Sequence, residues 1–166
     1  MSAQVDRLSR MIARLGTQRA CLSFASAEIK NLQGAVLEIG LGKGRTYDYL
    51  RRVFPQREIF AFDNIVHCPA DVQPDAGHLI LGDFRTTLRE AAVRLGRGAA
   101  LVHADIGSDD ADRDAVLATA IAPLIDALVT PGGLIIGDRE MRLPNWNALP
   151  LPQDAEGWPY YIYRAG

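Results

Sequence analysis

The sequence has few cysteines, few lysines and no long apolar run. Only Cys21 and Cys68 are cysteines, and they do not form a CxxC pair. A zinc site built from cysteine pairs and a disulfide framework are therefore excluded. No apolar run approaches the roughly 18–20 residues of a membrane-spanning helix, and the first residues contain no apolar signal core. These absences favour a soluble, cytoplasmic protein in a reducing compartment.

Charges of the two signs nearly balance. The chain has 18 Lys and Arg against 20 Asp and Glu, a formal net charge of −2, and Lys30 and Lys43 as its only lysines. A broad basic surface for nucleic acid is therefore not indicated. The hydrophobic fraction of 48% is too high for a disordered chain. The length of 166 residues suits a single domain, predicted over residues 1–166.

Short apolar runs alternate with helical segments through the middle of the chain. Strands are predicted at Ala35–Ile39, Glu58–Phe62, His78–Leu81, Ala99–Ala104 and Leu134–Ile136, and helices at Tyr47–Phe54, Thr87–Leu95 and Asp112–Val129. This alternation predicts an α/β fold with a doubly wound, mostly parallel sheet of six or seven strands and helices on both faces. This alternating core is expected over residues 34–138.

The two ends of the chain have a different character. Residues 1–33 are predicted to be a helical extension. A second helical stretch is predicted over Cys21–Leu32, after a first amphipathic helix that is indicated by the spacing of Val5, Leu8, Met11, Ile12 and Leu15. In residues 139–166, the proline-containing Leu143–Gly157 is predicted to be a loop, and the alternating Trp158–Arg164 a final strand. The tyrosines of that strand suggest a homodimer contact.

Acidic residues end the predicted strands. Glu38 stands near the end of the first strand, and the others end in Asp63, Asp83, Asp105 and Asp138. In a doubly wound sheet the carboxyl ends of parallel strands share one edge, where ligands bind. The sequence therefore predicts an acid-lined ligand site at this edge.

A glycine-rich loop connects the first strand to the following helix. A phosphate-binding P-loop is excluded because Leu37 occupies its required first glycine position. A dinucleotide fingerprint would need a glycine at Arg45. An NAD-dependent oxidoreductase is thus disfavoured, although Asp63 lies at a suitable distance for a ribose.

The segment Glu38-Ile39-Gly40-Leu41-Gly42-Lys43-Gly44 resembles motif I of the class I, Rossmann-like S-adenosylmethionine-dependent methyltransferases. The resemblance extends from about Gly34 to Asp138, which implies that residues 34–138 form the cofactor-binding core. The chain as a whole is similar to small bacterial members whose acceptors are mostly unassigned. It implies S-adenosyl-L-methionine as cofactor, with Glu38 holding its amino acid part, Asp63 its ribose hydroxyls, and Asp83 and Phe84 its adenine. The remaining residues predicted to bind the cofactor are Gly40, Gly42, Gly44, Tyr47 and Asp105.

The methyl acceptor is expected near the ends of the fourth and fifth strands. Asp105 and His103 are the predicted catalytic residues there, because a carboxylate and an imidazole can both accept a proton. Asp138-Arg139 stands where related magnesium-dependent enzymes have Asp-Asn, so no metal is predicted. Arg14, Arg19 and Phe24 could belong to an N-terminal lid or to a surface helix.

The resemblance implies methyl transfer. We expect a small-molecule acceptor, because macromolecular substrates usually demand more surface than one small domain offers, and we expect neither a nucleic acid nor a membrane as partner. A non-catalytic S-adenosylmethionine-binding protein remains the alternative.

Overall fold

The computed structural model describes residues 5–155 and 157–166, which contain one seven-stranded sheet. Its strands are β1 (Ala35–Ile39), β2 (Ile59–Asp63), β3 (Leu79–Leu81), β4 (Ala99–Ala104), β5 (Val129–Gly137), β6 (Trp146–Leu149) and β7 (Tyr161–Ala165). They lie in the order β3-β2-β1-β4-β5-β7-β6. The first five run parallel, and β7 pairs antiparallel with both β5 and β6. The predicted doubly wound, mostly parallel sheet is confirmed.

Within the described residues, four α-helices cover the two faces of the sheet: α1 (Arg7–Glu28), α2 (Arg45–Val53), α3 (Phe84–Leu95) and α4 (Ala111–Asp126). Side chains alternate between the faces along each strand. Leu37 and Ile39 of β1 enter the core beneath α3 and α4. Val36 enters the core beneath α1 and α2, and Glu38 therefore projects to that same face.

Helix α1 is continuous, so the predicted division into two helical stretches was wrong. Asp6 caps its start by accepting the Ser9 N–H at 2.9 Å, as aspartate favours at this position. From Thr17 onward the helix buries one side against the sheet. This packing compensates for Gly16, whose intrinsic helix propensity is low. None of the helices described in residues 5–155 and 157–166 is long and apolar enough to span a bilayer.

The segment predicted to be a loop, Leu143–Gly157, contains the edge strand β6. Prolines border this strand at Pro144 and Pro150 without interrupting it, and proline is tolerated beside an edge strand. The helix predicted to reach Val129 ends at Asp126, because Val129 instead pairs with Ala99 in the sheet.

Gly34 allows the chain to enter β1 against another part of the backbone. Its φ is +139°, and a Cβ there would lie 2.6 Å from the Gly98 carbonyl oxygen. At Gly132, φ is +79° and a Cβ would meet nothing within 4 Å. An alanine at Gly34 would meet both a steric collision and backbone strain, whereas an alanine at Gly132 would meet backbone strain alone. Comparing the two substitutions therefore isolates the cost of the collision.

We expect Gly34→Ala to lower the free energy of unfolding by about 3 kcal/mol or more, because neither backbone segment can move freely. Gly132→Ala should cost only about 1–2 kcal/mol of backbone strain. Urea denaturation of both variants measures the difference, and equal losses would contradict the steric explanation.

Candidate active site

A cleft of about 370 Å³ lies at the carboxyl edge of the sheet, between the glycine loop and α1. Its walls come from α1, the glycine loop, the end of β2, the start of α3 and the segment after β4. The lining residues are Met11, Arg14, Leu15, Gln18, Gly40, Leu41, Gly42, Lys43, Arg45, Thr46, Asp63, Asn64, Phe84, Asp105, Ile106 and Gly107. The site thus occupies the edge that the strand-end acids predicted.

Gly40 and Gly42 shape the floor of the cleft in different ways. At Gly40, with φ at +90°, a Cβ would lie 2.1 Å from the Asp105 carbonyl oxygen. The loop is therefore packed directly on the end of β4. At Gly42, with φ at +50°, a Cβ would meet no atom within 4 Å, and the N–H donates to Asp63 Oδ2 at 2.9 Å. The loop is thus closed toward β4 and open toward the cleft.

Beneath the loop lies a buried pair formed by Glu38 and His103. The parallel register of β1 and β4 places these residues side by side, and both side chains are fully buried. The imidazole Nδ1–H donates to Glu38 Oε2 at 2.6 Å. The other carboxylate oxygen, Oε1, accepts the hydroxyl of Thr46 from the first turn of α2. Both oxygens of this buried carboxylate are therefore satisfied.

The far side of the imidazole contacts Tyr160, immediately before β7. His103 Nε2 lies 2.5 Å from the Tyr160 hydroxyl, which donates to the neutral ring or accepts from the protonated ring. Burial alone would lower the pKa of His103, but the negative charges of Glu38, Asp105 and Asp138 outweigh it and raise that pKa. Burial raises the pKa of Tyr160 well above its ordinary value, so this hydroxyl stays neutral.

Helix α1 holds Asp105 from above the cleft. Arg14 Nη2 donates to both carboxylate oxygens, at 2.8 and 3.0 Å, and Gln18 Nε2 donates to Oδ2 at 2.9 Å. Burial acts to raise the pKa of Asp105, but His103 and Arg14 hold it below its ordinary value. Asp105 therefore faces the cleft as a carboxylate.

Asp138 lies behind Asp105 with a very different environment. Its oxygens accept the N–H groups of Ile106 at 3.1 Å and Gly107 at 3.0 Å, and Arg139 Nη1 donates to Oδ2 at 3.1 Å. Burial and the charge of Asp105 raise the pKa of Asp138 to about 6. The two neighbouring carboxyl groups thus have pKa values shifted in opposite directions.

The structure brings five of the predicted site residues into the cleft: Gly40, Gly42, Asp63, Phe84 and Asp105. The other predicted residues lie elsewhere in the described part of the chain. Glu38 and His103 lie beneath the loop, Gly44 precedes α2, and Tyr47 is packed in the core under the Arg51 guanidinium. Asp83 caps α3 by accepting the Arg85 N–H at 2.9 Å.

Several cleft residues were missed by the sequence analysis. Gln18 and Thr46 carry hydrogen bonds to the predicted acids, and Gln18 follows Arg14 by four residues, one helical turn. That spacing puts both side chains on one face of α1, which could have indicated a shared partner. Of the three residues considered for a lid, Arg14 reaches Asp105, whereas the partly buried Phe24 packs against the core.

We expect Tyr160→Phe to lower the free energy of unfolding by about 1–3 kcal/mol, because it removes a buried hydrogen-bond partner of His103. Tyr161→Phe is the matched control, since Tyr161 is the adjacent tyrosine and is only partly buried. Denaturant unfolding at constant pH compares the two, and a Tyr160→Phe variant as stable as the control would contradict this network.

A family model described as S-adenosyl-L-methionine methyltransferase matches residues 5–165. The crystal structure of an S-adenosyl-L-methionine methyl transferase from Silicibacter pomeroyi DSS-3 is similar, with 40% identity over 98% of this chain and 100% of that one and a TM-score of 0.92. No curated protein matches the chain.

More distant structures share the fold alone. The MycE methyltransferase of the mycinamycin biosynthetic pathway, with Mg and SAH, has 20% identity over 98% of this chain and 49% of that chain, at a TM-score of 0.56. The 16S rRNA (adenine(1408)-N(1))-methyltransferase of Catenulisporales acidiphilia has 13% identity over 86% of this chain and 87% of that chain, at a TM-score of 0.53. Small-molecule and RNA methyltransferases are thus both represented among its structural neighbours.

The glycine loop, the cleft that contains Asp63 and Asp105 and the family match along nearly the whole sequence agree: the chain belongs to the S-adenosyl-L-methionine methyltransferase family and is an S-adenosylmethionine-dependent methyltransferase.

Proposed function

We propose that this methyltransferase transfers the methyl group of S-adenosylmethionine to a small-molecule acceptor in the cytoplasm. The observation that carries the proposal is the closure of the cleft by α1, where Arg14 and Gln18 both bond to Asp105. This contact leaves a cleft of about 370 Å³ rather than an open surface. The net charge of −2 also favours a small acceptor over a nucleic acid, which usually requires a basic surface.

The residues of the cleft fit the cofactor. S-adenosylmethionine supplies a methyl group already activated by its sulfonium centre. Gly42 leaves open space beside the loop, and the Asp63 carboxylate at the end of β2 is suited to accept hydroxyl hydrogen bonds. Phe84 contributes an apolar wall. We propose that Gly40, Gly42, Asp63 and Phe84 hold the cofactor, with Glu38 positioning the loop from below.

Asp105 is the residue proposed to face the acceptor. It combines a cleft position with a carboxylate that His103 and Arg14 keep ionised. In that position it can orient an acceptor hydroxyl or amine and accept a hydrogen bond from it, and orientation contributes much of the rate in a displacement reaction. His103 was predicted to share this role, but its ring is fully buried. We propose that His103 acts through Glu38 as a positioning residue.

The experiment follows tritium from methyl-labelled S-adenosylmethionine into a cell extract, which is then separated into dialysable, protein and nucleic-acid fractions. We expect label in the dialysable fraction.

Asp63→Ala should weaken binding of S-adenosylhomocysteine about tenfold or more, because a hydrogen bond to a charged group contributes about 1.5–3 kcal/mol. Isothermal titration calorimetry measures this affinity directly.

Asp83→Ala is the matched control, since Asp83 also follows a parallel strand but its carboxylate caps α3. It should retain the affinity for S-adenosylhomocysteine and lose about 1 kcal/mol of stability from the cap.

In the labelling experiment, label in RNA or protein would contradict the small-molecule acceptor. Binding without transfer to any fraction would instead favour the non-catalytic alternative.

A further inference from the structure

Asp138 is a buried carboxyl group to which the proposed function gives no role. It follows β5 directly, is only 5% exposed, and shares a hydrogen bond with the carboxyl group of Asp105. A hydrogen bond between two carboxyl groups needs a proton on one of them, because an ionised carboxylate can only accept. Asp105 and Asp138 therefore form a carboxyl pair that holds one proton between them.

The backbone around Asp138 is built to receive its side chain. The parallel pairing of Ala104 with Gly137 places the residues that follow β4 and β5 side by side. Two N–H groups of the segment after β4 donate to the Asp138 oxygens at 3.1 and 3.0 Å. At Gly107 a Cβ would lie 2.2 Å from Asp138 Oδ2, so a glycine is needed there. The carboxyl pair is thus fixed by the ends of two neighbouring strands.

A proton fits the carboxyl pair better than a metal ion does. Arg139 Nη1 donates to Asp138 Oδ2 at 3.1 Å, and this cation lies where a metal ion would need a further oxygen ligand. Within residues 5–155 and 157–166, no group of three or more His, Cys, Asp or Glu side chains could hold a metal ion. The chemistry open to the pair is therefore proton transfer.

We propose that the carboxyl pair accepts the proton that the acceptor loses when it is methylated. The inference rests on the proposed function, in which Asp105 faces a small-molecule acceptor. Methylation forms a bond from the acceptor's oxygen or nitrogen to the methyl carbon and breaks the carbon–sulfur bond, whose electron pair stays on sulfur. The acceptor's proton passes to Asp105 and is then shared with Asp138, which acts through Asp105 as a positioning residue.

The pair is a better base than Asp105 alone. His103 and Arg14 hold the pKa of Asp105 below its ordinary value, and a carboxylate of low pKa binds a proton weakly. The pKa of Asp138 is about 6, because burial and the charge of Asp105 oppose its ionisation. Two coupled carboxyl groups take up protons as a unit. The pair therefore binds its proton closer to neutral pH, where a general base is most effective.

The titratable and charged groups that face Asp138 come from several elements: Arg14, His103, Asp105, Arg139 and Tyr160. Behind them, Asp114 of α4 binds Arg139 and Glu38 of β1 binds His103. The two arginines stay charged, and burial keeps the tyrosine neutral. His103 changes charge in a higher range, because its pKa is raised above 6.5. Asp138→Asn removes the titration of the pair and leaves that of the imidazole.

Carbon-13 NMR of the aspartate carboxyl groups, from about pH 4 to about pH 8, tests whether the pair holds the proton. The wild type should show one aspartate that titrates near pH 6, and Asp138→Asn should lack it. Asp126→Asn is the matched control, since Asp126 is a partly buried aspartate that accepts the Trp146 Nε1–H at 2.8 Å outside the cleft. This control should keep the titration near pH 6.

Initial rates of methyl transfer test what the pair does. The acceptor mixture is the dialysable fraction of a cell extract, and the donor is methyl-tritiated S-adenosylmethionine. The wild-type rate should fall as the pH drops through about 6, because the pair is then already protonated. Asp138→Asn should lower the rate at about pH 8 about tenfold and move the fall to more acidic pH, because the remaining carboxylate is a weaker base. Asp138→Glu should restore the fall near pH 6, and Asp126→Asn should behave like the wild type.

A wild type without an aspartate that titrates near pH 6 would overturn the proposal, as would a pH profile that Asp138→Asn leaves unchanged. Circular dichroism checks that the variants fold, and if Asp138→Asn does not, the wild-type titration and the Asp138→Glu profile decide. If the labelled extract carries label only in RNA or protein, the proposed function fails. That fraction then replaces the dialysable one in the same pH comparison, which still decides whether the pair accepts the proton.

Discussion

The buried contact between Glu38 and His103 is the interaction on which the site depends. A buried carboxylate is costly unless it is paired and hydrogen-bonded. Here the register of β1 and β4 supplies the imidazole, and the first turn of α2 supplies the Thr46 hydroxyl. The pair therefore ties two strands to the start of α2. Because the glycine loop joins β1 to α2, this contact also fixes the loop that forms the cleft floor.

The same network connects parts of the chain that are distant in sequence. Tyr160 brings the carboxyl-terminal segment to the imidazole, and Gln18 lies 3.4 Å from the tyrosine hydroxyl and also bonds to Asp105. The amino-terminal helix and the last strand thus meet behind the cleft. The residues proposed to hold the cofactor and the residue proposed to face the acceptor are in this way positioned by one set of buried hydrogen bonds.

The sequence predicted the parallel core well because each strand is a short apolar run followed by a turn and an acid. It also predicted Asp63 and Asp105 in the cleft. It could not predict that Asp83 caps α3, because an aspartate after a strand suits both a ligand site and a helix start. The strand β6 and the contacts of Gln18 depend on long-range pairing, which leaves little trace in local sequence.

The measurement that tests this account most directly is an NMR titration of the imidazole nitrogens from about pH 5 to about pH 9, where histidine changes charge. We expect a His103 pKa above its ordinary value of 6.5, and a lower His103 pKa in Glu38→Gln. Because the pKa of His103 is raised in the folded state, the contact makes its full contribution to the free energy of unfolding below pH 6.5. That contribution is lost as the pH rises through the folded-state pKa of His103. A His103 pKa below 6.5, or one unchanged by Glu38→Gln, would contradict the central role of the pair.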